Sequence, residues 1–217
     1  MGNTTYMNGF GRASASPLVA RTDEGHLVNR LKKRDEAAYV VFVQKHKGAV
    51  YNVCLRMLSN AHEAEDIAQE VFMRAFMSIG SFREEAKLAT WLYRIAMNLC
   101  RNRIKYHQRR AANRHMSVEN LFEGQYQRSC GRITGETPPT PDESLEASQA
   151  QTRIQQALLQ LDDDFRRLLV LRDLEGLSYL DIMKITGLPE GTVKSRLHRA
   201  RAALTKAYRE LGDENRR

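Results

Sequence analysis

Apolar residues recur along this chain at intervals of three and four, and no stretch alternates convincingly with period two, so the pattern predicts helices and no strands. Residues 26–33 read as a short helix. A longer one from about Glu36 to Leu58 has Tyr39, Phe42, Val43, Val50, Cys54, Met57 and Leu58 on one face. Ala64, Ile67, Ala68, Val71, Phe72 and Ala75 then form an amphipathic stripe, and Trp91, Leu92, Ile95, Ala96 and Leu99 mark the buried side of a helix from about Leu88 to Arg110. After a break, helices are expected at 151–161, 164–175, 178–186 and 190–210.

The breaks define the organisation. Residues 1–24 are rich in Gly, Ser, Asn and Thr without periodicity and read as a mobile tail. Residues 116–150 contain Pro138, Pro139 and Pro141, three of the chain's five prolines, and read as a linker. The expected plan is all-α: two small helical domains, 25–115 and 151–211, joined by a flexible linker, with a short tail at 212–217. No internal repeat is visible.

Charge sharpens this picture. The 217 residues include 34 Lys and Arg against 26 Asp and Glu, a net charge of +8, which points to a polyanionic partner such as nucleic acid. The excess is uneven: the first 115 residues carry +9, the linker −4 and the remainder +3. The longest apolar runs, such as Tyr39–Val43, fall far short of the roughly 20 residues a membrane span needs, and the start of the chain lacks the apolar core of a signal peptide. Three widely spaced cysteines (Cys54, Cys100, Cys130) suggest neither a disulfide framework nor a zinc site. Six scattered histidines offer no metal pair. These features read as a reduced cytoplasmic protein that needs no metal or cofactor.

The segment GLSYLDIMKITGLPEGTVKSRLHRARAAL, Gly176 to Leu204, has the spacing of a helix-turn-helix. Ser178 can cap a helix with Asp181 three residues on. Ile182 and Ile185 supply its apolar face, Gly187 suits a turn of positive φ, and Pro189 stands where a second helix starts. Val193 and Leu197 face inward from that helix. From Gly191 to Arg209 there is no acid, while Lys194, Arg196, Arg199, Arg201, Lys206 and Arg209 are basic. Such a helix suits a DNA major groove, where arginine reaches both base edges and phosphates. A solvated surface helix can also be basic, but the turn in front of this one, and a second acid-free helix elsewhere, weigh toward nucleic acid.

That second helix covers Arg94–Val118 and carries Arg94, Arg101, Arg103, Lys105, Arg109, Arg110 and Arg114, with Trp91, Tyr93, Asn98 and Tyr106 alongside. Cations track a phosphate backbone and rings stack on unpaired bases. By contrast, AHEAEDIAQEVFMRAF, Ala61 to Phe76, leaves Glu63, Asp66 and Glu70 together away from its apolar stripe, with Glu65 and Gln69 near. An acidic face on a basic protein either meets solvent or docks on a basic protein surface.

Together these segments resemble the extracytoplasmic-function sigma factors of bacterial RNA polymerase. The resemblance implies that Glu63, Glu65, Asp66, Gln69 and Glu70 belong to a surface that docks on the core enzyme. It implies that FREEAKLATWLYRIAMNLCRNRIK, Phe82 to Lys105, melts and reads the upstream-ten promoter box. There Ser81 to Lys87 would form the loop pocketing a flipped base, with Phe82, Arg83, Lys87, Trp91, Arg94, Asn98, Arg101 and Lys105 as the DNA-side residues. In the helix-turn-helix, Thr192, Lys194, Ser195, Arg196, His198, Arg199 and Arg201 would contact the upstream-thirty-five box. The implied partners are core RNA polymerase, promoter DNA and an anti-sigma factor, and no catalytic residue is implied. Two departures from the family pattern stand out: Met183 occupies a position that usually holds a small residue, and the loop carries Glu84 and Glu85.

An autonomous regulator would need a ligand pocket or a self-complementary apolar helix, whereas the N-terminal half shows one basic face and one acidic face. A nucleic-acid enzyme would need clustered carboxylates for metals or a nucleophile with a positioned base; the acids at 63–70 lie on a helix face without either.

Overall fold

A computed structural model describes the backbone of residues 17–113 and 141–214, and the side chains of 24–111 and 150–212. The described residues form eight α-helices and no strand: α1 (Pro17–Lys32), α2 (Glu36–Leu58), α3 (Ala61–Ser78), α4 (Leu88–Asn113), α5 (Pro141–Leu159), α6 (Asp163–Leu169), α7 (Tyr179–Thr186) and α8 (Glu190–Glu214). A 3-10 turn, Ile79–Ser81, follows α3, and a π-helical turn, Val170–Leu174, follows α6.

The helix starts are set by side-chain caps for orphan amides. Asp35 accepts from the Ala38 amide at 3.1 Å and Asn60 from the Glu63 amide at 3.0 Å. Ser178 accepts from the Asp181 amide at 3.1 Å, and its hydroxyl donates to the Asp181 carboxylate at 2.6 Å. Gly187 ends α7 with φ +72°, the left-handed position that a side chain would strain.

Three boundaries depart from the sequence expectation. Helix α1 starts at Pro17, inside the stretch read as a tail, and its buried positions Val28 and Leu31 are too few to extend a periodic pattern that far. Helix α5 starts at Pro141, inside the stretch read as linker, because proline in a first helical turn forfeits no hydrogen bond. The helix expected over 164–175 changes to π geometry at Val170, where the Glu175 amide reaches back five residues to the Val170 carbonyl at 3.0 Å. The remaining expectations for the tail and linker, and Cys130, lie outside the described residues.

Helices α2, α3 and α4 pack around Phe42, Val53, Met57, Ile67, Val71, Leu92 and Met97, with the Phe42 and Phe72 rings edge to face at 5.6 Å. Leu158, Leu168, Leu171, Ile182, Val193, Leu197 and Ala200 fill the core of the second helical group. Met183 is half-buried against this core, so its bulk is absorbed. Cys54 and Cys100 are buried, and the adjacent Cys54 thiol together with burial pushes the Cys100 thiol well above the ordinary range.

The two helical groups meet at the C-terminus of α2. Gln155 Nε2 donates to the carbonyls of Leu55 and Arg56 at 3.3 and 3.2 Å, and Arg166 Nη1 donates to that of Met57 at 2.8 Å. The buried Arg166 guanidinium also donates to the carbonyls of Leu158, Leu159 and Leu161 at the end of α5, at 3.0, 3.0 and 3.2 Å. A cation thus sits between two helix C-termini, where the macrodipoles favour it. Between α4 and the C-terminal group, Tyr93 donates to Glu175 at 2.7 Å, Thr90 to Asp181 at 3.2 Å and Gln108 to Asp163 at 3.0 Å.

Candidate nucleic-acid and protein interfaces

On α3 the apolar stripe turns inward, and Glu65, Asp66 and Gln69 stand exposed, with Glu70 half-buried beside them. Glu70 pairs along the helix with Arg74 at 2.6 Å. Glu63 departs from the group: it faces α4, where His107 Nε2 lies 2.8 Å and Arg103 Nη1 3.8 Å from its carboxylate. The open acidic patch is therefore Glu65, Asp66, Gln69 and Glu70, with Glu63 spent inside the fold.

Helix α4 presents the basic face. Trp91, Arg94, Asn98, Arg101 and Lys105 recur at i, i+3, i+7, i+10 and i+14, so they lie on one stripe about 21 Å long at 1.5 Å per residue. All are exposed except Trp91, which is half-buried. Lys87 continues the stripe into the preceding loop and is exposed. Phe82 was expected on the DNA side, but it is buried at 6% exposure and packs beneath Trp91 with ring centroids 5.2 Å apart. It supports the indole and also lines the cleft in front of it, with Arg83 exposed beside it.

Around this loop lies a cleft of about 440 Å³, lined by Ser81, Phe82, Arg83, Trp91, Arg94 and, from α7, Lys184 and Ile185. Side chains of α7 therefore border this cleft. At the other end of the stripe, Arg101 and Lys105 share a smaller cleft with Asp162, Asp163 and Asp164 at the start of α6. The C-terminal group thus approaches the basic stripe at both ends, with opposite charge at one of them.

On α8, Val193, Leu197 and Ala200 are buried, so the opposite side faces outward. Ser195, His198 and Arg199 are exposed there, and among the described residues none of them has an ion-pair partner. The flanking cations are tied to their own domain. Arg201 makes a bidentate pair with Asp173, 2.9 and 2.6 Å. Arg196 approaches Asp164 at 3.5 Å, and Lys194 pairs with Glu190 at 2.7 Å while lying 5.4 Å over the Tyr179 ring. Thr192 is half-buried and accepts at its carbonyl from Ser195 Oγ at 3.1 Å. Sequence reasoning grouped these residues as equals, but Asp164 and Asp173 are about thirty positions away and announce nothing about their partners.

The sequence reading also missed Glu24 and Lys32 on α1. The Glu24 carboxylate accepts the Leu88 amide at the start of α4, and Lys32 reaches Glu84 at 3.0 Å.

Residues 42–110 match the family described as Sigma-70 region 2, and residues 151–204 match Sigma-70, region 4. These two modules in this order define a bacterial sigma factor. The ECF RNA polymerase sigma factor SigW of Bacillus subtilis is 41% identical over 185 residues, covering 85% of this chain and 96% of that protein. The RNA polymerase sigma-H factor of Pseudomonas aeruginosa is 33% identical, covering 89% and 98%. The chain belongs to the extracytoplasmic-function sigma factors, which direct core RNA polymerase to promoters and start transcription. Among solved structures, CnrH in complex with the cytosolic domain of CnrY has the same fold at TM-score 0.59 and 20% identity, covering 84% of this chain and 95% of that one. The sigma factor RpoE of Bartonella quintana, solved with the anti-sigma factor NepR, gives TM-score 0.58 at 23% identity, covering 79% and 96%.

Proposed function

We propose a division of labour among three surfaces. Glu65, Asp66, Gln69 and Glu70 on α3 dock on a basic surface of core polymerase. The loop 81–87 and the α4 stripe, from Lys87 through Trp91 to Lys105, hold the separated strand of the upstream-ten box. Ser195, His198 and Arg199 on α8 read the upstream-thirty-five box, with Thr192, Lys194, Arg196 and Arg201 at its margins. The observation that carries this reading is the continuous stripe of α4, which puts an aromatic ring, an amide and three cations in register beside an open cleft. Flipping a base costs about a few kcal/mol of stacking, and a ring with a cleft beside it offsets that without reaction chemistry. The chain accordingly acts by binding, in the cytoplasm, and carries out no catalytic step.

The domain plan follows the same surfaces: α1 to α4 as the melting and docking domain, α5 to α8 as the upstream reader, and the chain between them as the connection. The Bartonella RpoE was solved with the anti-sigma factor NepR, and CnrH with the cytosolic domain of CnrY, which supports control of this chain by an anti-sigma factor.

The test is binding of the labelled full chain to bacterial core RNA polymerase by fluorescence anisotropy, alongside a forked DNA probe presented to the assembled holoenzyme. One-to-one core binding, with probe binding that falls on Trp91→Ala or Arg94→Ala, is the expected outcome. Loss of core binding in those two α4 variants would overturn the division of labour, because α4 and α3 would then serve one surface.

A further inference from the structure

In the loop that leads into α4, Glu84 adopts φ +60°. A residue with a Cβ is strained in that left-handed region, and such a conformation persists only where its surroundings hold it. The surroundings here are on α1. Lys32 Nζ lies 3.0 Å from the Glu84 carboxylate across 52 residues of chain. Eight residues earlier on the same helix, the Glu24 carboxylate accepts the amide of Leu88, the first residue of α4. That amide has no partner within its own helix, and a carboxylate also complements the positive end of the helix. Phe82, fixed beneath Trp91, anchors the near end of the loop.

The loop therefore has a front and a back. Its front borders the cleft of Trp91 and Arg94. Its back borders a second cleft of about 550 Å³, walled by Glu24, Gly25 and Val28 of α1 and by Asp181 and Lys184 of α7. A third tether comes from the other module, where Lys184 donates to the Glu85 carbonyl. That link joins two modules, whereas the α1 contacts lie within one.

We propose that Glu24 and Lys32 are positioning residues for base selection: from behind, they fix the 82–87 loop in the shape that decides which unpaired base the front cleft accepts. This rests on the reading of the front cleft as the base site. Neither residue touches DNA; both act through Glu84 and the first turn of α4.

The experiment presents holoenzyme, assembled from the full chain and bacterial core polymerase, with a random-sequence pool of single-stranded 14-nucleotide DNA, and sequences the bound fraction. The unaltered protein is expected to enrich one base at one position. Lys32→Ala should reduce that enrichment by about 1.5- to fivefold, the range an exposed ion pair supplies, with core affinity unchanged. Glu24→Gln, the milder change at the helix start, should move it the same way. The exchange Lys32→Glu with Glu84→Lys should restore it, which a merely structural role would not require. Undiminished enrichment in both Lys32→Ala and Glu24→Gln overturns the inference and leaves the base-site reading standing. No enrichment by the unaltered protein overturns the base-site reading itself, and the inference with it.

Discussion

The Tyr93 hydroxyl donates to the Glu175 carboxylate at 2.7 Å, joining the buried side of α4 to the end of the π-helical turn. Tyr93 is 7% exposed, and burial pushes its hydroxyl well above the usual tyrosine range. Burial also raises the Glu175 carboxyl, against the pull of the Tyr93 hydrogen bond and of Arg56. Desolvation dominates both shifts, so this contact between modules is made at the expense of solvating a carboxylate.

A pH dependence follows from that shift. An acid whose folded-state pKa is raised contributes stability that is fully present below its ordinary value near 4.5 and is lost as pH rises through the raised value. The thermal midpoint of the full chain should therefore carry a component that falls with rising pH across this window. Glu175→Gln should remove that component, and melting curves at several pH values compare the two directly. Equal slopes in both proteins would assign the shift no energetic role.

Removing the donor gives a second expectation. Tyr93→Phe leaves the half-buried carboxylate without its hydroxyl partner, and a hydrogen bond to a charged group is worth about 1.5–3 kcal/mol. Urea unfolding should show a loss toward the lower end, since Glu175 keeps some solvent. The same variant in Glu175→Gln should lose less, and a double-mutant cycle measures the coupling.

Arg166 should be the least replaceable polar residue. Its guanidinium serves four carbonyls from two modules, and Arg166→Met orphans them at a cost on the order of 3 kcal/mol. Arg166→Lys should recover little, because one ammonium cannot match the planar fork. Differential scanning calorimetry of the two variants decides this; a lysine variant as stable as the parent would contradict it.

On α3, charge reversal should separate function from fold. Asp66→Lys is expected to weaken core binding at least tenfold while leaving the circular dichroism spectrum and midpoint unchanged. Glu63→Lys should instead lower the midpoint, since it confronts Arg103 and His107. Identical behaviour of the two in anisotropy and melting would mean that Glu63 is not committed to the fold.

A similar split is expected on α8. Arg199→Ala should depress promoter-dependent transcription with no change in stability, whereas Arg201→Ala should destabilise the domain by freeing Asp173. Run-off transcription and thermal melting, applied to both, give opposite rankings if this holds.

The helices of both modules were legible because burial imposes a period on the sequence: Ala64, Ile67, Ala68, Val71 and Phe72 are all buried as their spacing demands. The α4 stripe was legible for the same reason, read on the polar side. What was hidden depends on partners distant in the chain. Tyr93 and Glu175 are 82 residues apart, and nothing in either neighbourhood points to the other. Glu63 looked like its neighbours because one helix face is wide enough to serve both solvent and α4. The start of α1 escaped notice because a helix that buries only Val28 and Leu31 in its second half has hardly any period to detect. Phe82 was placed on the DNA side by family likeness; that it is also buried beneath Trp91 could not be read from its position, because the contact spans a loop.

The last turn of α2 offers carbonyls, not side chains, to Gln155 and Arg166. Every residue type has a carbonyl, so these three hydrogen bonds do not read the side chains at positions 55, 56 and 57. Their specificity is carried by the two donors. A change at Gln155 or Arg166 therefore removes its share of this seam whatever stands on α2, while Tyr93, Thr90 and Gln108 of α4 still hold the C-terminal group from the other side.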